Sequence, residues 1–284
     1  MQNYILSIKD KFQKTDGRSK KMYKNTAAMM FIKGASILIS LMSAPIMLHH
    51  VNRADYGVLL TLTSIVSWVG MMDVGLGNGL RNKLPEMLAK GDLQGAKKAV
   101  SSSYAALTMY VGLLISIFLV SSSYIDWRNV LNSPMSDAEE INGLAAVVFI
   151  AFCVQFLLGL IVSILYAYQM PAANSLISFV SQVVTFIALI VQVYIFKVSS
   201  VFQIGAVNCL IPPLIMLLAT IFLFATKLRE VAPTFKMIDF KYVSGILSLG
   251  VKFFILQIIT IVIFQANSII ITRVVGPEAV VEYN

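Results

Sequence analysis

Charged residues are scarce in this sequence. Asp, Glu, Lys and Arg make up 13% of its 284 residues, whereas a soluble globular domain carries about 25%. So few charges could not cover the surface of a soluble protein of this size. Hydrophobic residues account for 58% of the chain, and the mean hydropathy is +0.81. The scarcity of charge excludes a soluble globular protein and predicts an integral membrane protein.

Cysteine and histidine are scarcer still. Cys153 and Cys209 each lie inside an apolar run, without the spacing of a metal site or of a disulfide framework. His49 and His50 are adjacent, and no further metal ligands lie near them in the sequence. We interpret the cysteines as small residues of the core and expect no metal and no cofactor. No catalytic motif is recognisable either, so the sequence gives no sign of an enzyme.

Acidic residues are outnumbered by basic ones. The chain has 22 Lys and Arg against 14 Asp and Glu, a net charge of +8. In a soluble protein this excess would suggest a nucleic-acid partner, but in a membrane protein Lys and Arg accumulate in cytoplasmic loops. We therefore expect no nucleic-acid partner. Residues 1–25 hold seven of the cations, and we predict a basic cytoplasmic arm there, either an interfacial helix or a frayed basic tail.

Seven apolar runs have about the length of ~20 residues that a membrane-spanning helix needs. They cover residues 26–48, 56–72, 104–124, 144–166, 175–196, 202–226 and 246–272. Because the sequence lacks the alternation of a β-barrel, the predicted fold class is an all-α integral membrane protein with seven transmembrane helices. The predicted domains are the arm, a six-helix bundle at 26–226, a cytoplasmic linker at 227–245 and one further helix within 246–284.

The polar, basic segment at 73–98 organises the first two-thirds of the chain, because apolar runs lie on both sides of it. Together with the arm and the loop after the sixth run, it places sixteen Lys and Arg on one side of the membrane, whereas the opposite loops hold four. Two more, Lys33 and Lys252, lie within apolar runs. The positive-inside rule then predicts a cytoplasmic N-terminus.

The seventh run resembles the first in how it ends. Residues 51–57 (VNRADYG) and 274–284 (VVGPEAVVEYN) both place a valine, a short acidic turn and a tyrosine after an apolar run. A second six-helix unit, related to the first by an axis along the membrane normal, would begin at a seventh helix. We therefore expect a fragment or truncated product of a longer, two-bundle protein, inactive on its own.

Three short motifs carry a resemblance to a known family. They are DYG at 55–57, MDVGLGNGLRNKLPE at 72–86 and AKGD at 89–92. In these motifs and in its hydropathy the chain resembles the bacterial Wzx-type O-antigen flippases of the multidrug/oligosaccharidyl-lipid/polysaccharide exporter superfamily. The resemblance implies a MATE-like pair of six-helix bundles that face a central cavity in the bacterial inner membrane.

The resemblance also implies a substrate and partners. The substrate is a lipid-linked (undecaprenyl-diphosphate) oligosaccharide, used for O-antigen, capsule or exopolysaccharide synthesis. The implied partners are membrane lipids, a polysaccharide polymerase and other export proteins.

Candidate substrate-binding residues form a polar face on the first predicted helix. Lys33, Ser36, Ser40 and Ser43 follow one another at helical spacing. A cation inside the membrane costs ~2.5–3.5 kcal/mol and usually faces a cavity or a partner. The pattern predicts a cavity that receives an anionic head group. The alternative is that the serines are small packing residues and that Lys33 pairs locally.

Further candidates lie at the ends of other helices. Asp73, Arg81 and Lys83 are expected at the cytoplasmic mouth of the second helix, where the two cations would attract a lipid-linked diphosphate. The alternative is that Arg81 and Lys83 only hold this segment on the cytoplasmic side of the membrane and that Asp73 caps a helix. Lys252 is a weaker candidate on the seventh helix, because it lies off the face that Gln257 and other polar residues share.

Two other functions remain open from the sequence. A multidrug or cation exporter of the same superfamily would favour an acidic cavity, and the apolar runs contain no clear Asp or Glu in mid-membrane. A membrane-embedded glycosyl- or phosphotransferase would need acidic or histidine residues on a large external loop. The acidic stretch at 137–140 is the candidate for that role.

Overall fold

The computed structural model describes residues 29–51, 53–71, 75–122, 124–130 and 138–244, together with Ile255 and Ile259. Within these residues 87% of the chain is helical and none is strand. The predicted all-α class is therefore confirmed for the described part.

Nine helices in this part carry the labels used below. They are α1 (Met29–His50), α2 (Arg53–Met71), α3 (Leu76–Ala89), α4 (Leu93–Ser122), α5 (Trp127–Val130), α6 (Ala138–Leu158), α7 (Leu160–Ala167), α8 (Pro171–Ile190) and α9 (Val201–Ala225). A π-helical turn at Val191–Ile195 extends α8. The described part of the predicted linker, residues 227–244, is called the linker below and contains two 3-10 turns at Arg229–Val231 and Phe235–Met237.

Five of the described helices are long and apolar enough to cross a membrane. They are α1, α4, the pair α6 and α7, α8 with its π turn, and α9. These helices indicate a multi-pass membrane protein. The helix α2 overlaps the predicted second span but is not among the five. The seventh span, at 246–272, lies outside the described residues except for Ile255 and Ile259, so seven spans and a MATE-like arrangement stay predictions.

The polar segment at 73–98 is helical over most of its described length, which the sequence reading missed. Gly75 has a φ of +83°, a left-handed conformation that glycine adopts without strain, and it begins α3. The predicted start of the third span, Tyr104, is wrong by about three turns, because α4 begins at Leu93. Asp92 accepts a hydrogen bond from the backbone N–H of Gly95 at 2.8 Å and so caps the first turn of α4.

The predicted fourth span, 144–166, is longer than expected and interrupted. One span runs from Glu139 to Ala167, and Gly159 separates α6 from α7 within it. The backbone N–H of Gly159 still donates to the carbonyl of Gln155 at 2.8 Å. The helical hydrogen bonding therefore continues across the interruption.

Two hydrophobic clusters hold the bundle together, one towards each end. The first joins α3, α4, α7 and the linker, with Leu80, Ile164 and Val231 fully buried in it. The second joins the end of α1, α2, the start of α6, the end of α8 and the start of α9, around Ile141 and Ile204. Between them α6 packs along α9, and α9 packs against α8.

The basic residues gather at one end of this bundle, as the sequence predicts. The end that carries α3, the start of α4 and the linker is called the basic end and holds Arg81, Lys83, Lys90, Lys97, Lys98, Lys227, Arg229, Lys236 and Lys241. The described residues of the opposite end include the cations Arg53, Arg128 and Lys197. This asymmetry is the arrangement expected when the basic end faces the cytoplasm.

Candidate functional site

A cavity of about 520 Å³ lies between four helices, α1, α2, α8 and α9. The residues that line it lie in the middle of these helices and towards the end opposite the basic end. Tyr56 and Leu59 of α2 contribute to one wall, and Phe186 and Leu189 of α8 to another. The remaining contributions from α1, α8 and α9 are mostly hydroxyl and amide side chains.

The largest polar contribution comes from α8. Ser178, Ser181, Gln182 and Thr185 follow at intervals of three, four and seven residues, so they share one face of the helix, and all four line the cavity. A second set of α8 side chains is exposed and apolar (Leu176, Val180, Val184 and Ile187). The sequence reading missed this polar face, although its helical spacing inside an apolar run was a usable signal.

The predicted face of α1 reaches the cavity in part. Ser40 and Ser43 line it, and the hydroxyl of Ser43 also donates to the carbonyl of Ile39 at 2.9 Å. Ser36 and Lys33 are not among the lining residues. Lys33 is exposed and precedes Ser43 by ten residues, or about 15 Å along the helix axis. The cation therefore lies beside the cavity, towards the basic end, rather than in its wall.

In the part of the chain that the structure describes, the helix α9 contains unpaired hydrogen-bond acceptors of two kinds, a side-chain oxygen and backbone carbonyls. The Asn208 side-chain oxygen is buried and has no hydrogen-bond partner among the described residues, and Asn208 lines the cavity. Pro212 and Pro213 lack backbone N–H groups, so the carbonyls four residues earlier lose their usual helical donors. An unsatisfied buried acceptor costs ~1–3 kcal/mol. A ligand or water that donates to these oxygens would recover part of that cost.

The lining contains no charged side chain among the described residues. Serine and threonine hydroxyls donate and accept hydrogen bonds, and the amides of Asn and Gln do both at separate atoms. Such a wall suits an uncharged, hydroxyl-rich group, because an ion would lose its hydration without gaining a counter-charge. The described lining of this cavity is therefore neutral, and Lys33 lies beside it.

The other predicted cations lie elsewhere in the bundle. Arg81 and Lys83 belong to α3, which packs against α4 and α7 rather than around the cavity. The guanidinium carbon of Arg81 stands 4.2 Å from the centroid of the Tyr166 ring. Asp73 and Lys252 lie outside the described residues. The structure does not bring Arg81 or Lys83 together with the serines of α1.

An exposed ion pair lies further along α3. The ammonium of Lys90 is 2.7 Å from a carboxylate oxygen of Glu86. This hydrogen bond lowers the pKa of Glu86 and raises the pKa of Lys90, and Lys83 adds a smaller lowering for Glu86. The charge of Lys90 is therefore partly neutralised by Glu86, which lies four residues earlier in the same helix.

The acidic stretch at 137–140 has a structural partner. Glu140 accepts a hydrogen bond from the hydroxyl of Ser200. Ser200 is also the N-cap of α9 and accepts from the backbone N–H of Gln203. Glu140 thus ties the start of α6 to the start of α9. Asp137 lies outside the described residues.

Comparisons with protein-family models, with curated proteins and with solved structures find no match to this chain. The proposal of a function therefore rests on the cavity, on the residues around it and on the resemblance in the sequence motifs.

Proposed function

We propose that this chain forms a wall of the transport cavity in a flippase, which moves a lipid-linked (undecaprenyl-diphosphate) oligosaccharide across the bacterial inner membrane. The neutral, hydroxyl-lined cavity between α1, α2, α8 and α9 carries the proposal. Its volume of about 520 Å³ lies within the ~300–1,000 Å³ of small-molecule sites. It opens among helices long enough to span a bilayer.

The chemistry of the lining suits a saccharide. Each sugar hydroxyl donates and accepts hydrogen bonds, and Ser181, Gln182 and Thr185 offer both kinds of group on one helix face. Asn208 of α9 also lines the cavity. A neutral sugar enters this wall without the desolvation cost that a charged group would incur.

The diphosphate requires a different environment. Lys33 lies on the same helix as Ser40 and Ser43, displaced towards the basic end by about 10 Å from Ser40. A head group with its sugar in the cavity would extend its diphosphate in this direction, where an exposed ammonium attracts it. The lipid tail stays in the bilayer. Rocking against a second bundle, as the family resemblance implies, would then expose the cavity on the other side.

The two other functions fit the described geometry less well. An exporter of organic cations would favour a carboxylate in the cavity, and the described lining includes none. A transferase at the external loop would draw on Glu140, whose carboxylate is engaged with Ser200.

Substitutions that fill the cavity test the proposal in the organism that makes this protein. Ser43→Leu and Ser181→Leu replace lining hydroxyls by a larger apolar side chain. We expect each to lower surface polysaccharide at least tenfold and to make lipid-linked oligosaccharide accumulate, at unchanged protein amount on an immunoblot. Ser116→Leu is the matched control, because Ser116 is exposed on α4, donates to the Gly112 carbonyl and does not line the cavity.

A second variant addresses the diphosphate. Lys33→Ala should lower surface polysaccharide without lowering membrane insertion, and Lys33→Arg should retain most of it because the charge is kept. Normal surface polysaccharide in Ser181→Leu, at equal protein amount, would rule out the cavity as the transport site. Normal polysaccharide in Lys33→Ala alone would remove only the role of Lys33.

A further inference from the structure

A second groove, also of about 520 Å³, lies at the basic end between α4 and the linker. Ser101, Tyr104 and Met109 line it from α4, and Phe235 and Phe240 line it from the linker. The groove is separate from the transport cavity and shares no lining residue with it. Nothing in the proposed transport step makes use of it.

The linker is fixed against α4 and not merely adjacent to it. The backbone N–H of Thr234 donates to the hydroxyl of Ser101 at 3.0 Å, and that of Asp239 donates to Ser102 at 2.8 Å. Leu228 and Val231 on one side of the groove are buried in the hydrophobic cluster of the basic end. The two walls of the groove are therefore held at a defined separation.

Large apolar side chains of this groove are exposed. Phe235 is 93% exposed, Phe240 55% and Met109 65%. In water such a patch would be unfavourable. At the end of a membrane-spanning helix it reaches the boundary between head groups and acyl chains, where aromatic side chains are commonly found.

Cations lie next to the groove residues in the chain. Lys236 and Lys241 are exposed on the linker, and Lys97 and Lys98 belong to the first turns of α4, with Lys98 positioned over the ring of Tyr242. The linker's acids are Glu230 and Asp239, and Asp239 accepts from the backbone N–H of Lys241. Positive charge therefore exceeds negative charge around an apolar groove.

We propose that this groove binds one anionic phospholipid of the adjacent leaflet. From Ser101 to Met109 the groove follows α4 for about 12 Å, which lets an acyl chain lie along Met109 and Phe235 while its phosphate head group meets Lys236 and Lys241. The arm at residues 1–25 is a poorer occupant, because its seven cations would be repelled by these lysines. The site does not depend on what the protein transports.

Lipid binding by the purified full chain tests this directly. Native mass spectrometry would measure retention of phosphatidylglycerol, which is anionic, and of phosphatidylcholine, which is zwitterionic. We expect the wild type to prefer phosphatidylglycerol. The double variant Lys236→Gln with Lys241→Gln should weaken phosphatidylglycerol binding about thirtyfold, the equivalent of ~1 kcal/mol for each lysine, and leave phosphatidylcholine unchanged.

Two further variants separate charge from the apolar contact. Phe235→Ser should weaken both lipids, because it removes part of the groove wall. Lys90→Gln is the control for charge at the same end, because Lys90 belongs to α3 and pairs with Glu86, whereas Lys236 and Lys241 directly follow the groove residues Phe235 and Phe240 in the chain. A photoactivatable phosphatidylglycerol with its reactive group on the acyl chain should label peptides that contain Met109.

Three outcomes would overturn the proposal. They are equal retention of the two lipids by the wild type, unchanged phosphatidylglycerol binding in the double lysine variant, and cross-linking of the groove to residues 1–25 in place of lipid. All variants change exposed side chains, and a monodisperse peak in size-exclusion chromatography verifies that each remains folded.

Discussion

At the scale of single residues, the position of Arg81 shows how a cation can be engaged by the fold. Its guanidinium faces the Tyr166 ring at 4.2 Å and so links α3 to α7. A cation over an aromatic face at an exposed site contributes ~0.5–1 kcal/mol. The motif that suggested a diphosphate contact thus places at least one of its cations in a structural pair.

This pair gives a prediction about stability. Arg81→Ala should lower the thermal unfolding midpoint in detergent, because ~0.5–1 kcal/mol of cation–π attraction is lost. Tyr166→Phe keeps an aromatic ring and should change the midpoint little. In a double-mutant cycle, Arg81→Ala combined with Tyr166→Leu should cost less than the sum of the two single changes. Strictly additive costs would mean that the two side chains do not interact in the folded protein.

Single residues also show what a sequence can predict about the site. The serines of α1 were found because their spacing is local, and Ser40 and Ser43 do line a cavity. Lys33 is not among the residues that line this cavity, and its role stays a prediction, since helical periodicity fixes the face of a helix but not how far along it a cavity extends. Asn208 could not be assigned, because the lack of a partner for its oxygen depends on which helices surround it.

At the scale of elements, two of three consecutive serines connect α4 to the linker. Ser101 and Ser102 accept hydrogen bonds from linker amides, whereas the hydroxyl of Ser103 has no partner among the described residues. All three are buried. The start of α4 was predicted too late because hydropathy treats these serines and Lys97 and Lys98 as loop residues, although each of the serines is packed.

The serines allow a prediction with a built-in control. Ser101→Ala and Ser102→Ala should speed hydrogen exchange at the amides of Thr234 and Asp239 about fivefold, since each loses a bond worth ~1 kcal/mol. Ser103→Ala should leave exchange in the linker unchanged, because its hydroxyl is not bonded to the linker. Equal acceleration by Ser103→Ala would show that local packing, and not the two hydrogen bonds, holds the linker.

At the scale of the whole molecule, charge and hydrophobicity predict the orientation. The described helices alternate between a strongly basic end and an opposite end with few cations. This much was predictable, because span positions and loop charges depend on composition along the chain. The contacts among spans were not predictable. The apolar faces of α6 and α9 pack together, but nothing in a single sequence indicates which apolar helices will pair.

Cysteine labelling from each side of the membrane tests the orientation. In a variant with Cys153→Ala and Cys209→Ala, a cysteine at Lys90 or Lys236 should react with an impermeant maleimide only after the membrane is opened. A cysteine at Ser199, at the opposite end, should react in intact spheroplasts. All three positions are exposed. Labelling of Lys236→Cys in intact spheroplasts would reverse the predicted topology.

The measurement that tests the proposed site most directly compares two ligands on three proteins. Binding to the purified chain would be titrated with undecaprenyl diphosphate and with the lipid-linked oligosaccharide extracted from the organism that makes the protein. With the sugar in the cavity, the oligosaccharide form should bind more tightly to the wild type. Ser181→Leu should abolish that difference while binding undecaprenyl diphosphate as the wild type does, and Ser116→Leu should keep the difference. An undiminished preference for the oligosaccharide form in Ser181→Leu would contradict the assignment of the cavity as the saccharide site.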